Sequence, residues 1–122
     1  MTSHLVFLCL NTIWAKTSIW KELRKRRDTS ILDVGCGRHS SISKVVNHYK
    51  FTTIGLDIFE SHVREAKDSG VYQDLIVGDG RCLPFKDKQF DFVTGIEVIE
   101  RVEKEDGEKM LAELERVSRW LV

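Results

Sequence analysis

Ile31-Leu-Asp-Val-Gly-Cys-Gly37 is the stretch on which the fold turns. Ile31 to Val34 is a short apolar run closed by a glycine, the pattern of a buried strand. Asp33 is anomalous in such a strand, because a buried carboxylate is costly unless something compensates it. Gly35 and Gly37 let the backbone turn sharply and let a ligand approach without a Cβ in the way. Ser40 and Ser41 are N-cap candidates for a helix just beyond, whose first amides would face the same point.

Working outward, the hydrophobic period alternates between helix and strand. Ile42, Val45, Val46 and Tyr49 follow the i, i+3, i+4, i+7 rule of a half-buried helix. Thr52 to Ile58 reads as a second strand. Phe59, Val63 and Ala66 form the next helical stripe, which Gly70 stops. Leu75 to Val77 is a third strand, and Phe90 to Ile96 a fourth, apolar apart from Asp91 and Thr94. The last helix is expected from about Glu103 to Trp120, with Met110, Leu114, Val117 and Leu121 as its stripe and Leu111 beside it. Upstream, Ile13, Trp20 and Leu23 share a helix face. Residues 1–30 are therefore read as a helical segment packing on a domain formed by 31–122. Strands alternating with helices imply parallel pairing and right-handed crossovers. The expected product is an α/β protein with an open, doubly wound, mostly parallel sheet and flanking helices. Ligands of such sheets bind at the carboxyl ends of the strands, where strand order reverses.

The chain has 122 residues, enough for one small domain. Its formal net charge is zero, which gives no general argument for nucleic acid or other anionic partners. Lys21, Arg24, Lys25, Arg26 and Arg27 form a local basic run. It suits a helix C-terminus on a solvated face; the alternative is a site for RNA or lipid headgroups, and no interleaved aromatics support RNA. Cys9, Cys36 and Cys82 are odd in number and lack metal-ligand spacing, so reduced thiols in a cytoplasmic protein are expected, with no metal. The apolar run Leu5 to Leu10 is far short of the ~20 residues that span a bilayer. It lacks a clear cleavage site and is read as a packing segment.

Acidic residues stand at successive strand ends. Asp33 repels a pyrophosphate but attracts an ammonium or sulfonium, so it favours a cationic ligand; the competing reading is a carboxylate capping the glycine loop. Asp57 follows 24 residues later, about the spacing at which an acidic side chain accepts from a ribose diol. It also suits an N-cap for the following helix. Asp79, between Gly78 and Gly80, can accept from a purine amino group while the glycines let a flat ring lie close; it also suits a simple Asp-Gly turn. Glu97 either lines the cleft or is a helix-start acid. A dinucleotide fingerprint needs a third glycine where Ser40 stands, which with Asp33 speaks against NAD. His39 is read as an exposed loop residue, and Trp14 and Trp20 as core.

Four segments together carry a resemblance. Ile31-Leu-Asp-Val-Gly-Cys-Gly37 resembles the first motif of the class I S-adenosylmethionine (SAM)-dependent methyltransferases, of the type 11-like group. Gly55-Leu-Asp-Ile58 is similar to their second motif, Val77-Gly-Asp-Gly80 with Leu83-Pro-Phe85 to the third, and Phe90 to Glu100 to the fourth. The resemblance covers about Ile31 to Val122 and implies a Rossmann-like fold. It implies that Asp33, Gly35, Cys36 and Gly37 hold the methionine end of SAM. It implies that Asp57 takes the ribose hydroxyls, that Ile58 touches the adenine, and that Asp79 and Gly80 hold the adenine edge. Ile96 and Glu97 then line the methyl-transfer side, and the acceptor is expected to be a small molecule.

Two local departures are His39, where the family's loop carries a third glycine, and Glu100-Arg-Val102, where the fourth motif often reads Glu-His-Val. A larger one is length: the family usually continues for three more strands, so the sheet is expected to be incomplete in its C-terminal half. Strand four would then have an open edge, covered by a second copy, by the N-terminal segment or by a longer parent chain. The same shortfall keeps open a domain that binds the cofactor without catalysis.

Overall fold

The computed structural model describes residues 29–37, 51–95 and 102–121. The expectations for 1–28, for the helix from Ile42, for His39, Ser40 and Ser41, and for Ile96 and Glu97 fall outside those residues. The described elements are β1 (Ser30–Val34), β2 (Thr52–Asp57), α1 (Glu60–Asp68), β3 (Asp74–Val77), β4 (Phe90–Thr94), α2 (Lys104–Val117) and β5 (Ser118–Leu121). The strands form one sheet in the order β3-β2-β1-β4-β5. Every pairing is parallel. Strand order reverses after β3, and right-handed crossovers then place α1 and α2 on opposite faces.

β1 is the central strand, and its alternation assigns the two faces. Leu32 and Val34 point to one side with Leu56, Val93 and the α2 residues Met110, Leu114 and Val117, in a single buried cluster. The i, i+4, i+7 spacing of those α2 residues is why this helix can seal that face. Ile31 and Asp33 point to the other side, in register with Phe92 and Thr94 of β4 and with Thr53 and Gly55 of β2.

Polar groups fix the periphery. Asp91, the break in the apolar pattern of β4, accepts from Ser30 N at 3.0 Å and Ser30 Oγ at 3.2 Å, and its own amide donates to Ser30 Oγ at 3.0 Å. This ties the start of β4 to the start of β1. The loop after β3 is held by α2: Leu83 N donates to Glu113 Oε2 at 2.7 Å, and Arg116 donates to Phe85 O at 2.8 Å and Leu83 O at 3.0 Å. Phe85 meets Phe90 edge to face at 4.9 Å. Leu83-Pro-Phe85 is thus a structural brace.

The structure corrects the last element. The helix ends at Val117, and Ser118 takes φ −103°, ψ 145° as the chain enters β5. Leu121 fits a continued helical stripe equally well by period. The unpaired backbone groups of β4 decide the matter, since extended pairing of Phe90 with Ser118 and of Val93 with Leu121 satisfies them. The edge of β4 is therefore covered by the chain's own next segment, neither by a second copy nor by the N-terminal segment. No described helix is long and apolar enough to cross a membrane.

Leu114 is 2% exposed at the centre of the α2 face. Leu114→Ala is expected to lower unfolding free energy by about 2–5 kcal/mol. Urea denaturation should show a lower midpoint at nearly unchanged slope; an unchanged midpoint would remove α2 from the core.

Candidate functional site

With the order β3-β2-β1-β4-β5, β1 and β4 are the neighbours whose connections leave on opposite faces, so their carboxyl ends flank a crevice. The glycine loop sits there. Gly35 and Gly37 have φ 73° and 58°, the left-handed region that side chains resist. This conformation turns three amides back onto the end of β2. Gly35 N and Cys36 N donate to Leu56 O at 2.7 and 3.1 Å, and Gly37 N donates to Asp57 Oδ2 at 3.0 Å.

Asp33 lies beneath this loop at 4% exposure. Thr94 Oγ1 donates to its Oδ1 at 2.9 Å, and Tyr72 OH donates to its Oδ2 at 2.5 Å. Tyr72 reaches it across β2, because the register partner of Asp33 is Gly55. A Cβ at Gly55 would stand 2.9 Å from Tyr72 Cδ1 and 2.7 Å from Leu75 Cδ2. Two hydroxyls from separate elements thus solvate the buried carboxylate.

Asp57 ends β2 at 7% exposure. Besides the Gly37 amide, it accepts from Phe59 N at 2.9 Å through Oδ1, and His62 Nδ1 lies 3.4 Å from the same oxygen. It therefore shapes the turn into α1 and joins the first two loops. Ile58, Phe59 and Val77 are large apolar side chains left 54%, 59% and 51% exposed. Val77 is the register partner of Asp57, so this apolar rim lies at the ends of β2 and β3 beside that carboxylate.

Asp79 is engaged differently. Its Oδ1 accepts from Arg81 N at 2.9 Å and Nε at 3.0 Å, and its Oδ2 from Nε at 3.1 Å and Nη2 at 2.7 Å. The Arg81 guanidinium holds this carboxyl below the usual carboxylate range. The flanking glycines serve packing. A Cβ at Gly78 would stand 3.0 Å from Leu56, and one at Gly80 would stand 2.7 Å from Met110 and 3.2 Å from Val34. The sides on which a Cβ would stand are thus taken by the core.

Cys36 reports the field of the loop. Burial, with the Asp33 and Asp57 carboxylates, pushes its thiol up to about 12. Such a thiol is neutral near pH 7 and is no nucleophile. The same field that resists a thiolate attracts a cation. The sequence reading assigns no place in the site to the side chains of Tyr72, Thr94, Arg81, Phe59 and Val77. Only the pairing of Gly55 with Asp33 could have pointed to Tyr72, and it needs the register to be known.

Residues 32–119 match the family described as a methyltransferase domain. The chain is 33% identical over 99 residues to norajmaline N-methyltransferase of Rauvolfia serpentina, an alignment covering 76% of this chain and 33% of that protein. It is 38% identical over 88 residues to demethylmenaquinone methyltransferase of Staphylococcus saprophyticus, covering 66% of this chain and 36% of that protein. Among solved structures it is similar to a Pyrococcus horikoshii protein at 30% identity and TM-score 0.68, covering 90% of this chain and 56% of that one. Magnesium protoporphyrin IX methyltransferase of Synechocystis, solved with bound SAM, shares the fold at TM-score 0.72 and 20% identity, covering 89% of this chain and 54% of that one. The chain thus spans about a third of the curated relatives and about half of these structures.

Two outcomes check this geometry. With its thiol near 12, Cys36 has a thiolate fraction of ~10⁻⁴ at about pH 8. Iodoacetamide should therefore modify exposed Cys82 in the native protein, and Cys36 only after denaturation, as mapped by mass spectrometry. Tyr72→Phe removes a hydrogen bond to a buried carboxylate and should cost about 1.5–3 kcal/mol of stability. An unchanged urea midpoint would mean that Asp33 does not depend on Tyr72.

Proposed function

The chain belongs to the class I SAM-dependent methyltransferase family, and on that premise we propose that it binds SAM across the carboxyl ends of β4, β1, β2 and β3 and delivers its methyl group to a small-molecule acceptor. The observation that carries this reading is the arrangement at those ends: Asp33, Asp57 and Asp79 stand at the carboxyl ends of three adjacent strands, with the exposed Ile58, Phe59 and Val77 beside them.

Each part suits a different portion of the cofactor. Asp33 and Asp57 lie against the Gly35–Gly37 loop and, after burial, are what raises the Cys36 thiol; their negative field favours the ammonium and sulfonium of the methionine end. Asp57 is fixed by the Gly37 and Phe59 amides and accepts from the ribose hydroxyls. Ile58 lies against the adenine face, where burial of an exposed apolar side chain is favourable. Asp79 accepts from the adenine amino group and Gly80 backs it. Ile96 and Glu97, following β4, line the side from which the methyl group leaves.

Bound SAM supplies an electrophilic methyl on a positively charged sulfur. The chain's residues supply position: they hold the sulfonium under the glycine loop so that a nucleophile can approach in line, a contribution of alignment and lost freedom. The acceptor class is inferred from the similar proteins, whose names specify norajmaline and demethylmenaquinone as what they methylate.

Titration calorimetry with S-adenosylhomocysteine tests the cofactor reading. Asp57→Ala should weaken binding about tenfold or more, from loss of charge-assisted hydrogen bonds, with circular dichroism confirming the fold. Unchanged affinity would remove Asp57 from the site.

A further inference from the structure

Two arginines sit close together around the loop after β3, and their partners differ in kind. Arg116 donates to two backbone carbonyls, Leu83 O and Phe85 O, as well as to Glu113 and Asp87. It is built into the brace of that loop. The Arg81 side chain pairs only with carboxylates among the described residues, with Asp79 at 2.7 Å and with Asp106 of α2 at 3.2 Å. Nothing in the backbone of the loop depends on its guanidinium. The turn itself is kept by the Arg81 amide, which donates to Asp79 Oδ1 at 2.9 Å, and by Cys82 N, which donates to Asp79 O at 3.1 Å.

The capacity of Asp79 is the second point. An ionised carboxylate offers about four acceptor positions. Each Asp79 oxygen already accepts two contacts, one from the Arg81 backbone and three from its side chain. The Nε–H is shared between the two oxygens, so a purine amino group that approaches Asp79 must compete with the guanidinium on either oxygen. The route out is open: the Arg81 side chain is 43% exposed, and Asp106 remains as a second anchor.

From this geometry, and resting on the reading of Asp79 as the adenine acceptor, we infer that Arg81 is a removable lock on the β3 end of the cofactor site, which SAM must displace to bind. Arg81 thereby lowers affinity for the adenosyl ligand. It also sets base preference: a hypoxanthine base presents a carbonyl in place of the amino group, and that carbonyl accepts from Arg81 without displacing it.

The test compares S-adenosylhomocysteine and S-inosylhomocysteine on the full chain and on Arg81→Gln. Release from a partly exposed ion pair should tighten S-adenosylhomocysteine binding about two- to fivefold in Arg81→Gln. S-inosylhomocysteine should bind the variant no better than the parent. Equal or weaker S-adenosylhomocysteine binding by the variant overturns the lock. Tightening of both ligands alike overturns the base preference. Nitrogen-15 NMR of the arginine Nε–H groups separates the lock from the cofactor reading. The Arg81 Nε–H should be protected from exchange in the free protein and lose that protection on saturation with S-adenosylhomocysteine. Protection that persists at saturation sinks the lock while leaving the cofactor reading intact. A failure of both proteins to bind S-adenosylhomocysteine sinks the cofactor reading and the lock with it.

Discussion

The burial of Asp33 constrains more of this structure than any other contact. A carboxylate inside a parallel sheet must be solvated by the protein, and hydroxyl donors reach it from both sides of β1. Thr94 supplies one hydroxyl from β4, so β1 and β4 must pair in the register that sets Asp33 beside Thr94. Tyr72 supplies the other from the segment entering β3, and only because β2 places Gly55 in its path. One charge therefore links the strands on both sides of β1 to the connection that follows α1. Burial, with the charges of Asp33 and Asp57, raises the Cys36 thiol in the loop above it. The requirement that stabilises the centre of the sheet also gives the crevice its negative potential.

A chemical gradient runs along the strand ends as a result. At β1 the cleft is buried and negative. At β2, Asp57 is still buried but held by amides, a polar point with fixed direction. Across the ends of β2 and β3 the surface turns apolar and exposed through Ile58, Phe59 and Val77, and after β3 it finishes in the Asp79–Arg81 pair. A ligand that is cationic at one end, hydroxylated in the middle and flat and apolar at the other matches this order in one orientation only. Reversal would set an apolar ring against Asp33 and a cation on the Ile58 rim. Orientation therefore follows from strand order, before any contact specific to the transferred group is made.

How much of this was legible in sequence depends on the range of the interaction. β1 and β2 end within a residue of where hydrophobic runs and following polar residues put them, and Asp57 was legible because a strand-end acid at that spacing is a local signal. The end of α2 was not. Val117 to Leu121 satisfies both a helical stripe and an extended edge, and the choice is made by β4, distant in sequence. Tyr72 and Thr94 were illegible as partners of Asp33 for the same reason, since their sequence separations are 39 and 61 residues. The packing of Gly80 against Met110 is equally invisible in a string of letters, because a glycine that admits a ligand and one that admits a neighbouring side chain look alike there. The comparisons with known proteins fix the family, while the assignment of Ile96 and Glu97 concerns residues outside those described.

Asp57 and Asp79 are chemically the same group at neighbouring strand ends, yet the structure gives them different availability. Asp57 accepts from two backbone amides, one on each oxygen, with the His62 imidazole at 3.4 Å. Amides at fixed positions orient a carboxylate and, with one on each oxygen, leave further acceptor capacity, so a hydroxyl can join without breaking either bond. Asp79 is turned toward a guanidinium that fills both oxygens, so a new donor must compete. Preorganisation lowers the cost of binding, and competition raises it. On the proposed reading, ribose recognition at β2 adds a partner, whereas base recognition at β3 exchanges one. In such a site the sugar-binding carboxylate sets how firmly a ligand is held, and the guarded one sets which base is admitted.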